Sequence, residues 1–357
     1  MTIVYILIAI LMFGVLIAVH EFGHFIVAKL LGVRVNEFAI GMGPQLFSRQ
    51  KGETVYSLRA FPIGGFCAME GEEEKSSDPR AFSNKPAWKK FLILVAGAFM
   101  NFVVGVLLIL VLFSQNEAIY TPVVSSFADG FPLQGEQGLL PGDRIVRIDG
   151  HRVLVYDDVT MFFSRAGSDG MDLEIERDGR RLTLENLPLA PREYTDDGQT
   201  VVRYGINFTV EPATLGASLR NGLYQSVDFV RLVWISLGDL ITGAVGVKDM
   251  SGPVGIVAAM KDMGEAGAEA AGAAGALANI LYFTAFIAIN LAVMNLLPIP
   301  ALDGGQILFL IVNGIWHFFT RKRIDDKYLA YVNMAGFFCL IALMVVVAFN
   351  DVIKLVR

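Results

Sequence analysis

A chain of 357 residues, 54% of them hydrophobic and 18% charged, with a mean hydropathy of +0.54, is too apolar for an ordinary soluble protein and calls for several membrane spans. A formal net charge of -6 argues against nucleic acid as a partner. Two cysteines, Cys67 and Cys339, lie far apart in or near apolar segments, which excludes a disulfide framework and a cysteine-based zinc module. Any histidine metal site must therefore draw on His20, His24, His151 and His317.

The first apolar run, within residues 1–32, is long enough for the roughly 20 residues that a spanning helix needs. No Lys or Arg precedes Lys29, so a retained span is expected rather than a cleaved signal peptide. Residues 33–90 read as a β region and loop on the cytoplasmic side, either membrane-associated or an ordinary cytoplasmic hairpin. The alternation Thr54-Val55-Tyr56-Ser57-Leu58-Arg59 predicts a strand, and Gly41, Gly43, Gly64 and Gly65 predict hairpin turns around it. A second span is expected over 91–114.

Residues 115–210 read as a small soluble α+β domain, with strand-like runs at Val123-Val124, Arg144 to Ile148 and Leu173 to Arg177. Leu139-Leu140-Pro141-Gly142-Asp143-Arg144-Ile145, followed by Ile148-Asp149-Gly150, resembles the PDZ signature, with a helix expected at Tyr156 to Arg165. PDZ domains bind extended chain ends by strand addition. The usual Gly-Leu-Gly-Phe loop is not evident, and a steric filter is the alternative role. Residues 211–276 are expected to form amphipathic helices and a loop outside the membrane, with 264–275 a low-complexity Ala/Gly stretch.

A third, broken span is expected over 277–320. As one helix, Leu277 to Phe319 would run about 64 Å, against a hydrocarbon core of about 30 Å. Pro298, Pro300 and Asp303-Gly304-Gly305 break it, and irregular backbone at membrane depth is tolerated only where it is buried in protein or lines a cavity. A short loop, 321–328, leads to a fourth span within 329–357. The basic residues fall in three clusters: Lys29, Arg34, Arg49, Lys51 and Arg59; Lys85, Lys89 and Lys90; Arg321, Lys322, Arg323 and Lys327. Four crossings put all three on one side, which the positive-inside rule makes cytoplasmic, leaving both termini and the 115–276 insert outside.

His20-Glu21-Phe22-Gly23-His24 is an H-E-x-x-H pattern on the first span. Positions i and i+4 share a helix face, so both imidazoles can reach one zinc ion, with Glu21 placed beside them to move protons. Ionisable groups inside a span are costly and functional by default. Asp303, in the broken third span, is the candidate third ligand; a helix cap is the alternative. His151 and His317 are weaker candidates. Two imidazoles and a carboxylate suit zinc best.

H-E-x-x-H in a first span, Asn295-Leu296-Leu297-Pro298-Ile299-Pro300-Ala301-Leu302-Asp303-Gly304 in a later one, and a PDZ-like insert between spans resemble the bacterial site-2 proteases, specifically the regulator of sigma E protease group. The likeness covers nearly the whole chain. It implies a polytopic α-helical protein of the bacterial inner membrane, with a membrane-associated β region and an extracytoplasmic PDZ-like domain. His20, His24 and Asp303 would be zinc ligands, Glu21 the catalytic acid/base, and Asn295 a substrate-positioning residue. Gly41, Gly43, Gly64 and Gly65 fall where the family engages an unwound substrate strand, which a strand edge near Val55 and Ser57 would receive. Asn101, in Gly97-Ala98-Phe99-Met100-Asn101, matches the second-span motif. The implied partners are transmembrane proteins: single-span anti-sigma factors already clipped outside, and leftover signal peptides. One PDZ-like unit is found here, whereas some relatives carry two. A zinc transporter and a non-catalytic PDZ scaffold are the competing readings. No internal repeat supports the first, and Glu21 is unexplained by the second.

Overall fold

The computed structural model describes residues 2–72, 76–165, 170–196, 199–246, 248, 250–322, 324 and 326–356. Arg323, of the third basic cluster, lies outside the described residues. The chain divides into two units, residues 1–108 with 229–357, and residues 109–228.

In the first unit, α1 (Thr2–Leu30) and α2 (Ala87–Ser114) are almost wholly apolar helices. Lipid offers no partner for backbone N–H and C=O groups, so a spanning segment must satisfy them internally. Among the described residues, four helices are long and apolar enough to cross a membrane: Val4–Leu30, Ala87–Ser114, Pro253–Asn295 and Ala330–Lys354. The protein is thus a multi-pass membrane protein. Helix α4 (Leu215–Thr242), which carries Arg220, Asp228, Arg231 and Asp239, is not among them.

Helix α5 (Pro253–Asn295) departs from the sequence expectation. It begins well before residue 277, and the Ala/Gly stretch is helical except at Ala271 and Gly272. There the chain doubles back: a Cβ on Gly267 would lie 2.3 Å from the Gly275 carbonyl oxygen, and Asn279 donates to the Met263 carbonyl at 2.9 Å. The small residues allow the two arms to pack backbone to backbone, which a composition reading cannot distinguish from a flexible loop. Each arm is then about membrane-sized, where one straight helix would be far too long. Tyr5, Ala9, Met12 and Leu16, spaced along one face of α1, bury against Met260, Phe283, Ile287 and Ala288 of the two arms.

The third apolar region breaks at residues 296–302, as expected, and resumes as α6 (Asp303–Thr320) before α7 (Asp326–Val356). Near the end of α7, the buried Asp351 carboxylate accepts the N–H groups of Gly252 and Gly255, both at 2.9 Å, and so caps α5 from another helix.

Between α1 and α2, β1 (Val35–Lys51) and β2 (Thr54–Met69) form an antiparallel sheet in which both long strands fold on themselves. Gly41 and Gly43, at φ +86° and +82°, let β1 turn so that each of its halves pairs with residues 55–58. Val55 pairs with both Glu37 and Gln50, and Ser57 with both Ala39 and Ser48. The expected edge at Val55 and Ser57 is therefore corrected: they lie inside the sheet, and the segment Gly65 to Met69, paired with residues 35–40 alone in this sheet, forms an edge. Alternation announces a strand but not how many neighbours it has.

The second unit holds β3 (Ala118–Phe127), β4 (Arg144–Ile148), β5 (His151–Arg152), α3 (Tyr156–Arg165), β6 (Met171–Arg177), β7 (Arg180–Leu187), the hairpin β8 (Arg192–Asp196) and β9 (Gln199–Arg203), and β10 (Ile206–Pro212). Its main sheet runs β10-β3-β4-β6-β7, with β5 on β4. Leu173 and Ile175 alternate inward, a register shift in β4 brings both Ile145 and Ile148 to burial, and Val159 and Phe162 of α3 are also buried. Asp143 is fully buried, accepts the Leu140 N–H at 2.7 Å and is gripped by Arg177 Nε and Nη2, both at 2.7 Å. This fork pins the Leu140–Asp143 turn to β6. Arg177→Ala would leave the Asp143 charge buried and uncompensated. It is expected to destabilise this unit by about 3–5 kcal/mol, read as faster hydrogen exchange across β4 and β6 with the membrane helices unaffected.

Candidate metal centre and active site

Helix α1 carries His20 and His24 one turn apart, and the first turn of α6 brings Asp303 to both. The Nε2 atoms of His20 and His24 are 3.1 Å apart, and Asp303 Oδ2 lies 3.2 and 3.4 Å from them. These are the separations that three tetrahedral ligands at zinc bond lengths require, about 3.3 Å. Asp303 Oδ2 is buried and, although within ion-pair distance of both imidazoles, has no hydrogen-bond partner of acceptable geometry. Such an atom is costly unless a cation occupies the point between the donors. The residues fit a zinc ion, and among the described residues this is the one cluster with metal-ligating geometry. His151 and His317 belong to β5 and α6 and take no part in it.

The groups behind the ligands orient them. His24 Nδ1 is 2.8 Å from the Ile93 carbonyl, so that nitrogen carries the proton and Nε2 presents its lone pair. His20 Nδ1 lies 3.4 Å from Asn295 Nδ2, and the same amide turned over presents its oxygen as the matching acceptor. Helix α2 comes close enough to do this because of glycines. A Cβ on Gly23 would lie 2.3 Å from the Ala96 carbonyl oxygen, and one on Gly97 would lie 2.4 Å from His24 Nε2 and 2.8 Å from His20 Nε2. Gly97 is the floor of the centre. Sequence reasoning assigned no role to Gly23 or Gly97; the signal available was small residues on facing apolar helices. Asn101, one turn beyond Gly97, is buried on α2 but does not line the cavity.

A cavity of about 220 Å3 opens on the centre, lined by His20, His24, Asp303, Glu21, Asn295 and, from β2, Cys67 and Met69. Glu21 lies beside the edge of β2, where a Cβ on Gly65 would be 3.7 Å from its Cγ and the Cys67 backbone hydrogen-bonds its carboxylate. Gly41, Gly43 and Gly64 stand in the turns of the sheet and do not line this cavity, nor do Val55 and Ser57. Cys67, Met69 and Glu72 do line it and were missed, because a strand's neighbours cannot be read from its own alternation. The loop before Asp303 includes Ala301 at φ +71°, a strained conformation for a residue with a Cβ, held partly by the Ala301 N–H donating to Asn333 at 3.3 Å.

Two imidazoles and a carboxylate around one point, with a glutamate beside them and all of it inside a bundle of apolar helices, define a membrane-embedded metallopeptidase. Residues 8–343 match peptidase family M50. The chain is 37% identical over 348 residues to a protein of Clostridium acetobutylicum named as a zinc metalloprotease, covering 98% of this chain and 97% of that one. It is 39% identical over 351 residues to a protein of Clostridium perfringens with the same designation, 98% of each. It is 28% identical over 428 residues to the regulator of sigma-W protease RasP of Bacillus subtilis, 97% of each. The chain belongs to peptidase family M50, the site-2 proteases, and is a zinc-dependent intramembrane metalloprotease.

Proposed function

We propose that this protease cuts single-span membrane proteins within the membrane, using His20, His24 and Asp303 to hold zinc and Glu21 as its acid/base. What supports the reading is the convergence of the three donor atoms beside Glu21 and the edge strand of β2. When bound, zinc supplies Lewis acidity, polarising a peptide carbonyl and making a water acidic enough to attack near neutral pH. Glu21 takes a proton from the attacking water and returns it to the departing amine. The Cys67 N–H steadies that carboxylate, and Asn295 holds the His20 ring as well as facing the cavity.

A peptide bond inside an intact helix is shielded and already hydrogen-bonded, so the substrate must unwind locally. Pairing with the edge at Gly65 to Met69 would satisfy its freed backbone groups in a setting without water. The charge distribution supports an inner-membrane protein with residues 115–210 outside, acting as a PDZ-like filter against substrates with bulky ectodomains. The substrate class we infer is anti-sigma-factor-like proteins already clipped outside, together with signal-peptide remnants. A regulator of sigma-W protease among the relatives is consistent with it.

The test is cleavage of a tagged single-span substrate, with and without a folded ectodomain, in proteoliposomes. Cleavage of the trimmed form alone is expected; equal cleavage of both would remove the filter. Asp303→Ala is expected to weaken zinc binding by more than about 100-fold, beyond what loss of a supporting hydrogen bond costs. Metal analysis showing parent-like zinc in that variant would discard Asp303 as a ligand.

A further inference from the structure

The edge of β2 beside the metal centre is already occupied by the chain's own side chains. Backbone N–H groups along an antiparallel strand point alternately to its two sides. The Glu70 N–H donates at 2.9 Å to the Arg34 carbonyl, toward β1, which turns the N–H groups of Cys67 and Met69 outward. Both meet carboxylates. The Cys67 backbone hydrogen-bonds Glu21, and the Met69 N–H donates to Glu72 Oε2 at 3.3 Å. Glu72 reaches back from the turn after β2, where its own N–H donates to the Met69 carbonyl at 3.3 Å, and it lines the same cavity as the zinc ligands.

We propose that Glu72 is a substrate-positioning residue whose carboxylate stands where a carbonyl of the added substrate strand must bind, so that the substrate takes the Met69 N–H by displacing it. This inference rests on strand addition at β2 as proposed above. An uncovered N–H facing an apolar medium is costly, and an open strand edge invites pairing with any extended chain. A resident carboxylate removes both problems until a longer segment pairs along the edge. Alternate N–H groups on a strand are about 6.8 Å apart, as are alternate carbonyls on the partner. A substrate carbonyl on Met69 therefore fixes which residue lies opposite Cys67 and Glu21, and Glu72 guards that register.

The test uses the full chain in detergent and the tagged single-span substrate. Glu72→Ala is expected to lower KM about three- to tenfold, the effect falling on KM rather than kcat, because the substrate no longer competes with a charged acceptor. Glu72→Gln, which keeps an acceptor without the charge, is expected to fall between. With Glu21→Gln holding the substrate uncut, Glu72→Ala is expected to speed hydrogen exchange at the Met69 amide, and added substrate to slow it again. A KM that is unchanged or raised overturns the assignment and leaves Glu72 as a turn cap. Exchange at the Met69 amide that Glu72→Ala leaves unchanged in the absence of substrate also removes it while strand addition stands. No protection in any variant overturns strand addition itself.

Discussion

Glu21→Gln is expected to slow cleavage by about 10^2- to 10^4-fold, the range for losing a positioned general acid/base, while zinc content stays at the parent level. The two effects separate because Glu21 is not one of the converging donors. His20, His24 and Asp303 place their ligand atoms within 4.8 Å of one another, whereas Glu21 faces the β2 edge at Gly65 and Cys67. A glutamine fills the same space and can still accept the Cys67 N–H, so neither the helix nor the sheet beside it has reason to move. What it lacks is a basic oxygen to collect a proton at neutral pH and release it to the amine. Single-turnover cleavage read beside metal analysis checks both halves. Rapid cleavage by this variant would place the base elsewhere, with Glu72, another carboxylate on the cavity wall, as the next suspect. Loss of zinc would instead make Glu21 part of the ligand shell.

The convergence of His20, His24 and Asp303 was legible in the sequence because it is carried by local spacing and by cost. His20 and His24 are one helical turn apart, and charged groups within an apolar run need a reason to be there. Asp303 was legible for a related reason: it follows the prolines that must break a helix too long for the bilayer. What was not legible depends on which backbones meet. Val55 and Ser57 have the alternation of any strand, and only the turn at Gly41 and Gly43, which folds β1 around them, together with the folding of β2 back along residues 35–40, puts the edge at Gly65–Met69. The Ala/Gly stretch at 264–275 looks like a linker by composition and packs as the tip of a helical hairpin. In lipid, small residues mark close helix contact as often as flexibility. Family membership then decides against the transporter and the scaffold. Spacing alone could not, since zinc ligands on a span serve transport as readily as hydrolysis.

Gly97→Ala is expected to abolish cleavage and lower zinc affinity by more than about 100-fold, although it adds one methyl group to a helix that alanine favours. The added carbon would lie 2.4 Å from His24 Nε2 and 2.7 and 2.8 Å from Cε1 and Nε2 of His20, within the atoms that must turn their lone pairs to the metal. Neither side can yield easily. The His24 ring is tied through Nδ1 to the Ile93 carbonyl on the same helix as Gly97, so swinging it away breaks that bond. Backing α2 off from α1 opens the contact at Gly23, whose own Cβ position lies 2.3 Å from the Ala96 carbonyl oxygen. The control is Gly105→Ala on the same helix, where the new methyl meets the Ile289 side chain at 2.6 Å and the cost is one of packing, about 1–3 kcal/mol. Zinc titration and thermal unfolding in detergent separate the two. Gly97→Ala should lose metal affinity out of proportion to any loss of stability, and Gly105→Ala should lose stability with its zinc retained. Parent-like zinc affinity in Gly97→Ala would mean that the imidazoles do not close on the metal against α2, and the ligand geometry built from His20, His24 and Asp303 would have to be given up.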